Sequence, residues 1–120
     1  DFRSAHKIGS RIDQVEGGYD HCYVINNGGK SLQLAATVHE SKSGRVMTIH
    51  TSEPGIQLYT GNFLDATDTC GNYVRNGGFC LEAEEFPDSP NQKQFPSSVL
   101  RPGERYSQTT VHTFTVSTKK

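Results

Sequence analysis

The sequence predicts an all-β, antiparallel fold, and three observations lead to this prediction. Short segments rich in Val, Ile, Thr, Tyr and Phe recur along the chain at the spacing of β-strands. Clusters of Gly, Pro, Asn and Ser, which favour turns, separate these segments. No window of about eleven residues carries the apolar stripe of an amphipathic helix. The predicted strands are residues 20–26, 31–40, 45–53, 56–61, 78–86 and 105–117.

The elements follow one another in a simple order. Residues 1–16 are weakly patterned and end at a Gly-Gly pair. The second predicted strand has an apolar and a wetter face, because its apolar side chains occupy every second position. These apolar positions are Leu32, Leu34, Ala36 and Val38. The last strand alternates in the same way, with His112, Phe114 and Val116 on one face.

Turns and loops connect these strands. Residues 41–44 predict a hairpin loop between the second and third strands. Further turns are predicted at residues 26–29 and 101–104. Two longer irregular stretches, residues 64–77 and 86–98, are candidates for function, because long ordered loops often carry it.

The composition is lean for an independent domain. The 120 residues suffice for one domain with a modest core, so we expect a single unit spanning residues 1–120. Hydrophobic residues make up 32%, Trp is absent, and the mean hydropathy is −0.63. The chain also begins without an initiator Met or a signal peptide. We therefore expect a piece of a longer protein whose core is completed by other residues.

The charge pattern excludes several classes of partner. Twelve basic and thirteen acidic residues give a net charge of −1 without a run of either sign, so nucleic acid is not an expected partner. No apolar stretch reaches the roughly 20 residues that a membrane span needs. The expected partner is a small neutral molecule or another protein. Three cysteines without paired spacing, Cys22, Cys70 and Cys80, indicate reduced thiols and a cytoplasmic location.

The five histidines do not predict a metal site. If residues 41–44 form the hairpin loop, His39 faces Val46 and His50 faces Ala35. The two histidines then share a face but lie roughly 13 Å apart, at ~3.3 Å per residue, which is too far for one zinc ion. No pair of cysteines or histidines has metal-ligand spacing, and no cofactor motif occurs.

The thiols do not predict nucleophilic catalysis. They lack any local signature of a catalytic cysteine. We expect Cys22 and Cys80 to be core or near-core residues, as small buried cysteines usually are.

The strand at residues 78–86 carries the candidate base. Alternation sends Cys80, Glu82 and Glu84 to one face and their neighbours to the other. The simpler interpretation is an acidic face exposed to solvent. The alternative is that Glu82 lies in a cleft on the sheet beside Cys80, where partial burial would make it a general base.

Two polar residues could bind a sugar. Asp20 could cap backbone donors at a turn, or accept hydrogen bonds from hydroxyl groups. Gln57 could be an ordinary strand residue, or use both its donor and its acceptor on hydroxyls. Tyr19, Tyr59 and Phe63 could stack on a sugar ring, although aromatic residues in strands usually belong to the core.

Four motifs resemble, in the same order and spacing, those of the aldose 1-epimerase (galactose mutarotase) family. The resemblance covers about residues 2–117. The family patterns are G-[FY]-D-H, P-G-[VI]-Q-x-Y-T-G-N and G-[FV]-C-L-E, followed by a Pro-rich tail. They are matched here by Gly18-Tyr19-Asp20-His21, Pro54–Phe63, Gly78-Phe79-Cys80-Leu81-Glu82, and the tail Phe86–Gln92 with Phe95-Pro96 and Leu100–Glu104.

The resemblance implies a fold and a reaction. The fold is an antiparallel β-sandwich of the galactose mutarotase type, of which this chain resembles the C-terminal third. The reaction interconverts the α and β anomers of aldohexoses such as galactose and glucose, without metal or cofactor. Glu82 is implied as the general base, and Asp20 and Gln57 as ligands of sugar hydroxyls. In the family the acid histidine, a second binding histidine and a binding arginine lie upstream, and none of the five histidines here matches them.

Three functions therefore compete. The first is a mutarotase segment that is active only when the missing two-thirds are supplied by the same chain or by a partner. Such a segment is expected to pair with itself or with its complementary N-terminal segment. The second is a carbohydrate-binding module in which Asp20, Gln57 and Glu82 bind without turnover. The third is an interaction protein that keeps the fold and lacks the chemistry.

Overall fold

The computed structural model describes residues 1–67 and 71–117, and strands dominate it. Each predicted strand is present, although shorter than predicted, so the all-β prediction is confirmed. Within the described residues the strands are β1 (Asp20–Val24), β2 (Gln33–His39), β3 (Arg45–Thr51), β4 (Gly55–Tyr59), β5 (Cys80–Glu84) and β6 (Thr110–Val116). Short 3-10 helices occupy Ile8–Gln14 and Ser89–Asn91.

The strands form two three-stranded sheets. One sheet has the order β1-β4-β5 and the other the order β2-β3-β6. β1 and β4 are antiparallel: Thr60 N donates to Tyr19 O at 3.0 Å, and Ile25 N donates to Pro54 O at 2.9 Å. The residue numbers sum to 79 in both pairs, which is the signature of antiparallel pairing in a constant register.

The β2-β3 hairpin confirms most of the predicted register. His39 faces Val46, as predicted, and the same register continues to Ala36 opposite Ile49. A β-bulge then shifts the pairing, so His50 faces Leu34 and the predicted partner Ala35 is wrong. A bulge adds one residue to one strand only, and a register counted from the hairpin loop cannot detect it.

Because of the bulge, the predicted apolar face of β2 is correct only in part. Ala36 and Val38, beyond the bulge, are half-buried as the alternation predicts. Leu34 and Leu32, before it, are 55% and 47% exposed. A one-residue slip sends every earlier side chain of the strand to the opposite face, so the predicted face is wrong at Leu34, and Leu32 lies before β2 begins.

The chain outside the strands differs from prediction in two places. Residues 1–16 contain the 3-10 helix Ile8–Gln14, which lacks buried residues and therefore has no apolar pattern to announce it. Residues 105–109 were predicted as strand, but β6 begins only at Thr110. Of the predicted 64–77 loop, residues 68–70 lie outside the described residues.

The chain divides into two compact units. Unit 1 comprises Asp1–His21 and Gln57–Glu82, and unit 2 comprises Cys22–Ile56 and Ala83–Lys120. The prediction of one domain stays a prediction. In unit 1 the buried side chains include those of Tyr19, Leu58, Thr60 and Asn62; in unit 2 they include those of Ile25, Ile49, Thr51, Glu53 and Ile56.

Unit 2 contains a buried acidic group. Glu53 is only 4% exposed, and its carboxylate accepts a hydrogen bond from the Tyr106 hydroxyl. This hydrogen bond, together with burial, raises the pKa of Tyr106 to about 12. Burial and the nearby charge of Glu53 raise the pKa of Glu85 above its ordinary value. Oε2 of Glu85 is buried and has no hydrogen-bond partner among the described residues.

This arrangement predicts that Glu85→Gln stabilises the fold at neutral pH. A carboxyl group whose pKa is higher in the folded state stabilises the protein when protonated, and this stability is lost as the pH rises through the folded-state value. Glutamine mimics the protonated form at every pH. We therefore expect a higher melting temperature for Glu85→Gln at pH 7, with the difference narrowing towards pH 4.

Glu104→Gln serves as the control for this comparison. Glu104 is exposed, and its carboxylate caps a turn by accepting from Arg101 N at 2.8 Å, a role that a glutamine oxygen retains. A melting-temperature difference for Glu85→Gln that does not depend on pH would contradict the assignment to ionisation.

Candidate functional site

The β1-β4-β5 sheet has an apolar face and a polar face. In the central strand β4, Ile56 and Leu58 are buried. Gln57 and Tyr59 alternate with them and are half-buried. Alternation therefore places Gln57 and Tyr59 on the polar face.

Asp20 joins Gln57 on this polar face. The Gln57 side chain donates from Nε2 to Asp20 Oδ1 at 2.7 Å. In the β1-β4 register Asp20 is a diagonal neighbour of Gln57, close enough for long side chains to meet. The two residues predicted to bind sugar are thus brought together in unit 1.

Gln57 keeps one hydrogen-bonding atom unused. Its Oε1 is buried and accepts no hydrogen bond among the residues that the structure describes. A buried amide oxygen without a donor is costly, typically about 1–3 kcal/mol. A ligand hydroxyl that donates to this oxygen would remove that cost.

Glu82 lies on the same face of the sheet. The thiol of Cys22 in β1 hydrogen-bonds the carboxylate of Glu84 in β5, which places Glu84 on the face of Cys22. Glu82 is two residues from Glu84 along β5 and therefore shares its face. The polar face thus carries Asp20, Gln57 and Glu82 on three adjacent strands.

A glycine in the central strand makes the contact between Cys22 and Glu84 possible. A Cβ atom at Gly55 would lie 2.7 Å from Cys22 Sγ and 3.1 Å from Phe86 Cδ1, so no larger residue fits without displacement. Burial, followed by the charge and hydrogen bond of Glu84, raises the pKa of Cys22 to about 11. This thiol is protonated at neutral pH and acts as a hydrogen-bond donor to Glu84 on the polar face of the sheet.

Glu82 itself is open to solvent. Glu82 is exposed, and its carboxylate makes no hydrogen bond or ion pair with residues 1–67 or 71–117. The expectation that Cys80 is a core residue is wrong, because Cys80 is exposed, whereas Cys22 is half-buried as expected.

The hydrogen bonds that the histidines make within the described residues go to partners other than these three side chains. His21 follows Asp20 in β1, and alternation directs it to the opposite face. Its Nδ1 accepts from the backbone N–H of Asp20 at 3.0 Å. His6 contacts Ser4, and His39 contacts Ser117. None of the five histidine side chains hydrogen-bonds the side chain of Asp20, Gln57 or Glu82 in the part of the chain described.

The aromatic residues considered for sugar stacking separate into two groups. Tyr19 is 5% exposed and belongs to the core, with the Phe2 ring 5.3 Å away in an edge-on contact. Tyr59 and Phe63 stack at 6.4 Å between ring centroids, and the Tyr59 hydroxyl accepts from Phe63 N at 3.1 Å. Phe63 is 81% exposed, so its ring is available to a ligand.

Comparison with known families agrees with the sequence motifs that contain Asp20, Gln57 and Glu82. A model of the aldose 1-epimerase family matches residues 1–113, which is most of the chain. The chain belongs to the aldose 1-epimerase family. It is 41% identical to the galactose mutarotase of Homo sapiens over 121 aligned positions, which cover 98% of this chain and 35% of that protein. It is 38% identical to the aldose 1-epimerase of Escherichia coli, over 95% of this chain and 36% of that enzyme.

A solved structure supports the fold of this aldose 1-epimerase family chain. The crystal structure of a GalM/aldose epimerase homologue from C. elegans matches with a TM-score of 0.68 and 32% identity. The match covers 82% of this chain and 30% of that one. Together with the two antiparallel sheets, it confirms the predicted fold class, an antiparallel all-β fold of the mutarotase type. The chain spans about a third of the length of the curated relatives named here.

The structure of this aldose 1-epimerase family chain also reveals residues that the sequence reasoning left without a role. Thr60 and Asn62 are 2% and 7% exposed, and they are hydrogen-bonded to each other and to neighbouring segments. The signal was present, because both lie in the motif Pro54–Phe63. The motif did not assign them a role, because a polar residue at the end of a predicted strand does not by itself indicate a buried hydrogen bond.

The described residues also bear on the thiols, on metal binding and on membrane crossing. Cys22 and Cys80 are free thiols, and Cys70 lies outside the described residues. In residues 1–67 and 71–117 no three His, Cys, Asp or Glu side chains are grouped to hold a metal ion. The same residues contain no helix of the length and apolarity that crossing a membrane requires.

Proposed function

We propose that these 120 residues form part of an aldose 1-epimerase that interconverts the α and β anomers of aldohexoses such as galactose and glucose. One observation carries the proposal: three adjacent strands of one sheet direct Asp20, Gln57 and Glu82 to the same polar face. The family membership supports the same reaction. The free thiols of Cys22 and Cys80 fit the cytoplasm as its location.

Glu82 is the general base in this proposal. Its carboxylate takes the proton from the anomeric hydroxyl as the bond between C1 and the ring oxygen breaks, while an acid protonates that oxygen. The open-chain aldehyde then rotates about its C1–C2 bond. Ring closure on the other face of the aldehyde reverses both proton transfers and gives the other anomer. The reaction consumes no co-reactant, since each group regains its starting protonation state.

Asp20 and Gln57 hold the sugar. The carboxylate of Asp20 accepts hydrogen bonds from hydroxyl groups and has a second oxygen beyond the one bonded to Gln57. Gln57 offers its unused Oε1 to a hydroxyl donor. The exposed ring of Phe63 offers an apolar surface for the sugar ring.

The acid that protonates the ring oxygen is proposed to come from outside these residues. Within residues 1–67 and 71–117 no histidine side chain hydrogen-bonds Glu82, and alternation along β1 directs His21 to the opposite face of the sheet. The second sheet supports a complementary segment, because Phe114 and Val116 of its edge strand β6 are 73% and 67% exposed. Open edges with exposed apolar residues favour pairing with another strand.

The proposed binding roles predict the effect of Asp20→Asn and Gln57→Ala. In an active enzyme containing these residues, we expect both changes to raise KM about tenfold or more and to change kcat less. The reason is that both side chains bind hydroxyls before and during the reaction, so their loss weakens ground-state binding. Polarimetry of fresh α-D-glucose or α-D-galactose measures both constants.

Asp13→Asn is the matched control for this experiment. Asp13 is exposed in the 3-10 helix Ile8–Gln14 of the same unit, so this variant should match the unmodified enzyme. Unchanged KM values for Asp20→Asn and Gln57→Ala would contradict the proposed binding roles. Sugar binding without any turnover in the complete protein would instead favour a carbohydrate-binding module.

A further inference from the structure

A buried network of polar side chains lies behind the proposed sugar site, within unit 1. Its members come from three separate segments: Tyr19 precedes β1, Thr60 and Asn62 follow β4, and Asn76 lies in the connection to β5. Tyr19, Thr60 and Asn62 are each less than a tenth exposed. Buried polar groups are costly unless they are satisfied, so a fully connected network holds its members in one arrangement.

Asn62 is the centre of this network. Its Nδ2 donates to Tyr19 O at 2.9 Å. Its Oδ1 accepts from Thr60 Oγ1 at 2.7 Å and from Asn76 Nδ2 at 3.1 Å. One side chain therefore ties together the three segments that carry the proposed functional residues.

The contacts on the β1 side fix the peptide group before Asp20. The carbonyl of Tyr19, which belongs to that peptide group, accepts from Asn62 Nδ2 and from Thr60 N. The N–H of Tyr19 donates to Thr60 Oγ1 at 3.1 Å. The neighbouring Gly18 leaves room for the network, since a Cβ there would lie 2.3 Å from Asn62 Oδ1. The direction of the Asp20 side chain follows from this anchored backbone.

The contacts on the β5 side fix the chain that leads to Glu82. Asn76 Nδ2 also donates to Thr60 O at 2.7 Å, and Asn76 N donates to Gly61 O at 3.1 Å. Asn76 has a left-handed backbone with φ +57°, which asparagine tolerates better than most residues. Gly61 allows close approach of this connection, because a Cβ at Gly61 would lie 3.1 Å from Gly78 O.

We propose that Asn62 is a positioning residue of the aldose site, setting the placement of Asp20 and Glu82 relative to Gln57 through its hydrogen bonds to Tyr19, Thr60 and Asn76. The inference rests on the proposed function, because it assigns those three side chains to one sugar. Its physical basis is that a misplacement of about 1 Å, caused away from the reacting atoms, can lower a rate about 10²-fold.

Three variants test this proposal in the active enzyme. Asn62→Ala removes both halves of the network, and we expect it to lower kcat/KM at least about tenfold, with KM raised and kcat lowered. Asn76→Gly keeps the left-handed backbone and removes only the contacts on the side of Glu82, so kcat should fall while KM stays near normal. Thr51→Val is the control: in unit 2 it removes the 2.9 Å hydrogen bond with Thr110 and the acceptor of Glu53 N, and it should change stability without changing either constant.

A double-mutant cycle separates positioning from general weakening. If Asn62 acts through Asp20, the increase in KM for Asn62→Ala and Asp20→Asn together should be smaller than the product of the single effects. Multiplicative effects would overturn the proposal. Variants of Asn62 and Asn76 that alter only the melting temperature would overturn it too. If Asn62→Ala does not fold, Asn76→Gly decides between the outcomes: a lowered kcat with a near-normal KM supports the positioning role, and unchanged constants refute it.

The same experiment keeps the two proposals distinguishable. A normal KM for Asp20→Asn alone would count against the proposed function. A raised KM for Asp20→Asn, combined with normal constants for Asn62→Ala and Asn76→Gly, would leave the proposed function intact and refute the positioning role.

Discussion

Replacing Glu82 by glutamine in the active enzyme is expected to lower kcat by at least about 10²-fold, with a much smaller change in KM. Glutamine keeps the shape of glutamate and can still hydrogen-bond the anomeric hydroxyl, but it cannot accept the proton. The loss therefore falls on the transition state more than on ground-state binding. Polarimetry at saturating sugar measures kcat directly.

Two neighbouring glutamates provide controls for this experiment. Glu84 shares the strand face of Glu82 and accepts from the Cys22 thiol, a role that the oxygen of a glutamine retains. Glu85 lies among Glu53 and Tyr106 in unit 2. Glu84→Gln and Glu85→Gln should therefore stay near normal activity. A crippling effect of Glu84→Gln, or normal kcat for Glu82→Gln, would show that the base is assigned wrongly and would favour an acidic face without catalytic function.

The 120-residue chain alone is expected to show no mutarotation above the buffer rate. Ring opening needs a base and an acid, and a positioned proton-transfer group contributes about 10²–10⁴-fold. The chain supplies Glu82, but in the part that the structure describes no histidine hydrogen-bonds it. Polarimetry of fresh α-D-galactose with the purified chain, followed by addition of the complementary part of an aldose 1-epimerase, measures the effect.

Activity that appears only after complementation would support a shared site. A rate well above buffer for the chain alone, abolished by Glu82→Gln, would show that the acid lies within these residues. The Glu82→Gln chain is the control for buffer catalysis, because it retains every other ionisable group.

Much of the fold could be predicted because its signals are local. The alternation of apolar side chains located the strands, and the loop at residues 41–44 set the hairpin register as far as Ala36. Asp20, Gln57 and Glu82 could be singled out from short motifs around each residue. Alternation also placed Glu82 and Glu84 on one face of their strand, and β5 includes both residues in the structure.

The sequence by itself thus determined the fold class, the family and the identity of the candidate residues. Only the tertiary structure decided which of them meet. The bulge near Ala35 that exposes Leu34 has no local sequence signal, since it adds a residue to one strand only. The bonds from Gln57 to Asp20 and from Asn62 to Tyr19 join residues 37 and 43 positions apart. A residue's own neighbours in the sequence cannot specify such contacts, because they depend on strand order, register and the space that glycines such as Gly55 leave open.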